Sequence, residues 1–167
     1  MALGEAELYA CYRRMEKPLY NVLYRWLWQP QDCQDTIHDA FLRIWHRRGR
    51  VDAARLESLV WTTALNLARN RLRWRRLWRF DEPDAAAAAD SDPVEETARR
   101  QREAGMRLAL EQLPTAQRHV LLLSEFGGLD TNQIAHTLGI PPGTVGSRKH
   151  IALRRLREQL GEAGDDR

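Results

Sequence analysis

Cysteine is nearly absent from this chain: Cys11 and Cys33 are its only two in 167 residues. They lie in separate segments without the paired spacing of a metal knuckle, and two thiols are too few for a disulfide scaffold, so a reducing cytosol is the expected setting. The chain also lacks any uninterrupted apolar run near the ~20 residues of a membrane span. Its start, MALGEAELYA, has no basic stretch followed by an apolar core, so a soluble, cytoplasmic chain without membrane insertion is expected. No stretch alternates apolar and polar residues as a strand does. The histidines His38, His46, His119, His136 and His150 are scattered, and neither clustered carboxylates nor a nucleophile set accompanies them. A zinc site, a hydrolase and a nuclease therefore all lack support, and neither catalysis nor a cofactor is expected.

Charge is unevenly spread. Residues 1–80 carry 15 Lys/Arg against 8 Asp/Glu, whereas residues 81–98 carry seven acidic residues and no basic one. Basic residues return in the last third, clustered at Arg148, Lys149, Arg154, Arg155 and Arg157. A polyanionic partner for both ends is the natural inference.

The periodicity predicts helices throughout. Leu8, Cys11, Tyr12 and Met15 recur at helical spacing, and Leu19, Leu23, Trp26 and Leu27 continue the apolar face after Pro18. Asp32 is positioned to cap a second helix with Ile37, Phe41, Ile44 and Trp45 inward. A third pattern runs through Leu56, Val60, Thr63 and Leu67. Residues 79–97 combine prolines with dense negative charge and little to bury, which predicts a flexible linker. Beyond it, Leu113, Val120, Leu123, Ile134, Leu138, Val145 and Leu153 can form a small core. The expected architecture is all-α: one helical domain over 1–78, the acidic linker over 79–97, and a second domain over 98–167 containing a helix-turn-helix.

That last motif is DTNQIAHTLGIPPGTVGSRKHIALRRL at 130–156. Gly139 can take the left-handed conformation that reverses the chain, and Pro142 suits a first helical position because its missing amide hydrogen is not needed there. Thr144, Ser147, Arg148 and His150 are then candidates for the DNA-facing side near the helix start, while Arg154, Arg155 and Arg157 lie further along and contact the backbone or keep the surface solvated; a basic side chain can read a guanine edge or hold a phosphate.

A second basic stretch, LESLVWTTALNLARNRLRWRRLWRF at 56–80, interleaves arginines with Trp74, Trp78 and Phe80. Arginines neutralise phosphate, and flat rings offer stacking faces to bases that have left the duplex, so single-stranded nucleic acid is a sensible ligand. Twelve of the thirteen aromatic residues fall within 1–80. Most must be core, with Trp26 and Trp45 the foremost members, while Trp61 is divided between the core and exposure toward DNA. The helix from Asp32 to Trp45 presents Gln34, Asp35, His38, Asp39, Leu42 and Arg43 outward. Its carboxylates would repel phosphate, so this face suits a protein surface better, or is simply solvated.

Taken together, DCQDTIHDAFLRIW at 32–45, LVWTTALNLARNRLRWRR at 59–76 and the helix-turn-helix block at 113–160 resemble, in order, the extracytoplasmic-function (ECF) group of bacterial sigma factors, the promoter-specificity subunits of RNA polymerase. The resemblance covers nearly the whole chain apart from the acidic linker. It implies that Asp35, His38, Asp39, Leu42 and Arg43 dock on core polymerase, chiefly its beta-prime and beta subunits, with Phe41 turned inward. It implies that Trp61, Thr62, Asn66, Arg69, Arg73, Trp74, Arg75 and Arg76 meet the downstream promoter element and hold its melted strand. It implies further that Thr144, Ser147, Arg148, Lys149 and Arg154 meet the upstream element, and that an anti-sigma factor is a candidate partner. The chain departs from the family pattern at Gly146, where lysine is frequent, and at Pro141, where a capping serine is frequent. The rival reading is a dimeric helix-turn-helix regulator that binds an operator without joining the polymerase, which predicts a stable homodimer and a palindromic site.

Overall fold

The computed structural model describes residues 3–78 and 92–165, with side chains given as far as Gly161. Among these residues every regular element is helical: α1 (Glu5–Leu27), α2 (Pro30–His46), α3 (Leu56–Trp78), α4 (Pro93–Glu111), α5 (Thr115–Glu125), α6 (Thr131–Leu138) and α7 (Pro142–Asp165), with two short 3-10 turns between α2 and α3.

The first three helices form a bundle. Pro18 lies inside α1 without breaking it. An interior proline costs about 3 kcal/mol or more, and the burial of Met15, Leu19, Val22 and Leu23 around it offsets that loss. Trp28 ends α1 in the left-handed region at φ 57, its amide donating to the Tyr24 carbonyl. α2 then begins at Pro30, two residues before Asp32, so Asp32 does not act as the cap. Its carboxylate instead binds Arg75 of α3, and Arg71 of α3 approaches it and binds Asp39 at 2.9 Å. These ion pairs set α3 against the outer side of α2, over a core built from Ile37, Ala40, Ile44, Val60, Ala64 and Leu67.

α4 starts at Pro93, within the span expected to be linker, because Asp92 accepts from the Val94 amide and Glu95 and Glu96 occupy the first turn, where the helix dipole favours acid. Residues 79–91 of that span lie outside the described residues. α4, α5 and α6 pack around α7, burying Leu110, Leu113, Val120, Leu123, Ile134 and Val145, with Leu138 and Leu153 partly buried.

The two helical regions touch. α6 packs on α3, and α5 packs on the end of α1. There the Arg118 guanidinium donates to the Arg25 carbonyl and stands 4.0 Å over the Trp26 ring, while Arg25 stands 3.7 Å over Phe126. Tyr24 donates to Glu103 at 2.5 Å.

Candidate nucleic-acid and protein interfaces

On α2, residues four apart bring Asp35, Asp39 and Arg43, together with His38 and Leu42, to one side. His38 and Arg43 are exposed and Leu42 is 47% exposed. An open leucine among polar groups is the composition of a protein-docking surface rather than of a phosphate path. Asp35 accepts from Gln31 at 2.9 Å, and Asp39 is shared with Arg71, so both carboxylates are held in place before any partner arrives.

α3 carries two kinds of position. Trp61 is 4% exposed and belongs to the core; it lies one helical stripe over from Val60 and shares its buried side with Leu65 and Ala68. This corrects the DNA-facing assignment, since a helix packed on two neighbours buries two adjacent stripes rather than one. Arg75 is also redirected inward. It donates to the Leu27 carbonyl and binds Gln29 and Asp32, tying the end of α3 to the α1–α2 junction. Thr62 is half-buried and donates to the Ser58 carbonyl. The outward positions are Asn66, Arg69, Arg73, Trp74 and Arg76.

Asn66 lines a groove of about 570 Å³ with Thr63 and Leu59 on α3 and with Arg43, Arg47 and Arg50 opposite. Arg47 and Arg50 are additions to the expected set; the signal for them was the run HRRGR at 46–50. Further along, Trp74 and Trp78 stack at 6.3 Å and stand 59% and 62% exposed. At 1.5 Å of rise per residue, Trp74 lies roughly 12 Å from Asn66, about three to four stacked base steps. One wall of the cationic groove and the aromatic ledge thus lie along α3, while the groove's arginines come from α2 and the turn that follows it.

The helix-turn-helix forms as its residues require. Asp130 accepts from the Gln133 amide while Gln133 reaches back to the Asp130 amide, a reciprocal capping box at the start of α6. Gly139 takes φ 67 and turns the chain into Pro142, the first residue of α7. Ser147 and Arg154 are exposed; Thr144 and Arg148 are half-buried at the same end. Lys149 is paired with Glu125 at 3.2 Å, which makes it a less available phosphate contact than Arg148. Gly146 is exposed, with open space where a side chain would project.

Burial shapes the ionisable groups between the two regions. His119 lies 5.0 Å from the Trp26 ring, and burial, then the charges of Arg69 and Arg118, push its pKa down to about 4. Burial likewise lowers the Arg118 guanidinium to about 10. Among the described residues no group of three or more His, Cys, Asp and Glu is placed to hold a metal ion, and no helix is long and apolar enough to cross a membrane.

A helical bundle with a cationic groove beside a helix-turn-helix suits promoter DNA, and comparison with known families identifies the class as promoter-recognition proteins. Residues 11–80 match the model for sigma-70 region 2, and residues 105–156 match that for sigma-70 region 4. The chain is 33% identical over 170 residues to the ECF RNA polymerase sigma factor SigL of Mycobacterium tuberculosis, covering 98% of this chain and 94% of that protein. It is 31% identical to the ECF RNA polymerase sigma factor RpoE of Cereibacter sphaeroides, covering 79% and 72% of the two chains. Among solved structures, CnrH in complex with the cytosolic domain of CnrY superimposes with a TM-score of 0.72 at 21% identity, covering 95% of this chain and 90% of that one. The sigma factor RpoE in complex with the anti-sigma factor NepR from Bartonella quintana gives 0.61 at 20% identity, covering 98% of each chain. The chain belongs to the ECF group of the sigma-70 family. It is a non-catalytic RNA polymerase sigma factor that serves promoter recognition and transcription initiation.

Proposed function

We propose that the three surfaces divide the work of initiation. Asp35, His38, Asp39, Leu42 and Arg43 dock on core polymerase, chiefly the beta-prime subunit. Asn66 and the groove it shares with Arg43, Arg47 and Arg50 take a base displaced from the downstream promoter element. Arg69, Arg73 and Arg76 hold the phosphates of the melted strand, with Trp74 offering its bases a stacking face. Thr144, Ser147, Arg148 and Arg154 meet the upstream element in the major groove. Trp61 and Arg75 support this surface from within, without touching DNA.

The groove at Asn66 is the observation that carries the reading. Its volume of about 570 Å³ falls within the roughly 300–1,000 Å³ of small-ligand sites, and three arginines at its rim supply the charge a nucleotide needs. The two-domain grip implies that core polymerase holds both domains at the promoter spacing, an effective-concentration effect that weak separate contacts require. An anti-sigma factor is the proposed regulatory partner, because one similar fold was solved with the anti-sigma factor NepR and another with the cytosolic domain of CnrY.

Run-off transcription from promoter libraries with purified core enzyme tests the assignment. Asp35→Ala should chiefly weaken core binding, and Arg148→Ala should chiefly weaken upstream-element binding, each by roughly 1–3 kcal/mol. Equal damage to both activities by each change would contradict the division of labour.

A further inference from the structure

The far wall of the Asn66 groove is its least supported part. Arg43, Arg47, Arg50 and Val51 line it from the end of α2 and the turn that follows, opposite Leu59, Thr63 and Asn66 of α3. From His46 to Arg55 only Val51 is buried, and the regular structure there is two 3-10 turns of three residues each. Such short turns have poor hydrogen-bond geometry and little stability of their own. Arg43, Arg47, Arg48 and Arg50 also place four positive charges within eight positions, and their mutual repulsion pushes the turn open. A wall that drifts discriminates poorly between bases, because bases are told apart by donors and acceptors at fixed places.

Two ties hold the turn, and both end on Arg48. The Leu3 amide, in the segment before α1, donates to the Arg48 carbonyl at 3.3 Å, and the Leu3 side chain is 3% exposed within the core. In addition the Arg48 guanidinium stands 4.1 Å over the Trp45 ring and donates to the Trp45 carbonyl at 3.1 Å. The Arg48 carbonyl also accepts from the Val51 amide at 3.4 Å, which carries both ties to the groove wall. Leu3 and Arg48 do not line the groove themselves; Arg47, Arg50 and Val51, on either side of Arg48 in the chain, do.

We propose that Leu3 and Arg48 are positioning residues for downstream-element recognition: Leu3 ties the turn after α2 to the core, and Arg48 fixes where Arg47 and Arg50 stand across from Asn66. The proposal rests on the reading of the groove as the site of the displaced base, and adds what holds that groove to one width. With both ties in place the groove favours one base. With either cut, Arg47 and Arg50 still attract phosphate, since charge acts over a distance, but the preference among bases fades. Affinity then belongs to the arginines of the groove and selectivity to the residues behind them.

The test is run-off transcription by core enzyme and the full chain from a promoter library randomised across the downstream element. Leu3→Ala and Arg48→Lys are compared with the wild type, the second keeping the charge while removing the flat group over Trp45. Each should reduce the preference for the favoured base by on the order of five- to tenfold, with total initiation across the library changed by less than about twofold. Leu3→Met, which keeps the apolar volume, should retain the wild-type preference. Val22→Ala, a core change farther along α1, should lower thermal stability and leave the preference intact; an equal loss of preference there would overturn the positioning role. Asn66→Ala reads the groove itself, and if it leaves the preference unchanged, the displaced-base reading fails and the proposal with it. If Asn66→Ala flattens the preference while Leu3→Ala and Arg48→Lys keep it, the groove reading stands and the two ties are overturned. Should circular dichroism find Leu3→Ala unfolded, Arg48→Lys decides by the same measurement.

Discussion

His119 shows how a single side chain takes its properties from its surroundings. Its imidazole packs against Trp26 of α1, with Arg69 of α3 and Arg118 of its own helix as charged neighbours, and its pKa falls from 6.5 to about 4. The neutral ring is thus the form the folded chain accepts. Stability from this site is fully present above pH 6.5, declines as pH falls, and reaches its floor once the folded pKa is passed. At pH 5 the loss amounts to roughly 2 kcal/mol. Thermal unfolding at pH 7 and pH 5 should therefore show a larger drop in midpoint for the wild type than for His119→Gln, and parallel drops would refute the assignment. Trp61 and Arg75 carry a related lesson. Both have the residue types of a strand-binding surface, yet one is core and the other braces the α1–α2 junction, because residue type states what a side chain can bind and packing states whether it is free to do so.

At the level of elements, the glycines around the helix-turn-helix behave in opposite ways. A Cβ at Gly127 would stand 2.7 Å from the Leu123 carbonyl oxygen, a backbone atom with little freedom to retreat, at the turn that ends α5. Gly127→Ala should cost roughly 1–3 kcal/mol, read as a lower denaturant midpoint with an unchanged slope. Gly146, on the exposed side of α7, meets nothing. Gly146→Lys should raise stability by up to ~1 kcal/mol through helix propensity and tighten upstream-element binding in a salt-dependent way through one more phosphate contact. If Gly146→Lys strengthened binding equally at all salt concentrations, the added contact would not be electrostatic. The left-handed Gly139 was readable in advance because it depends on neighbours within a few residues.

The whole molecule adds a constraint that no single element contains. Because the two helical regions rest on one another, the spacing between the promoter elements should matter only when the polymerase holds the regions apart. Inserting half a helical turn between the elements should abolish initiation with core enzyme while changing the free chain's binding by less than about twofold. A strong spacing dependence in the free chain would mean that it already spans both elements alone.

The amino-acid sequence by itself determined the all-helical class, the helix-turn-helix, the outward side of α2 and the family, because helical periodicity, turn chemistry and charge placement are local and survive without coordinates, whereas Trp45, expected in the core, lies half-buried beneath Arg48. Asp32, Arg71 and Arg75 could be recognised as charged but not as one brace, since their meeting depends on how α2 and α3 cross. Arg47 and Arg50 became groove residues only when the turn after α2 brought them opposite Asn66. The seam of Trp26, Arg118 and His119 joins positions more than ninety residues apart, and only the tertiary structure could decide it: burial and pairing between distant segments arise from the packing of helix faces, which no local pattern encodes.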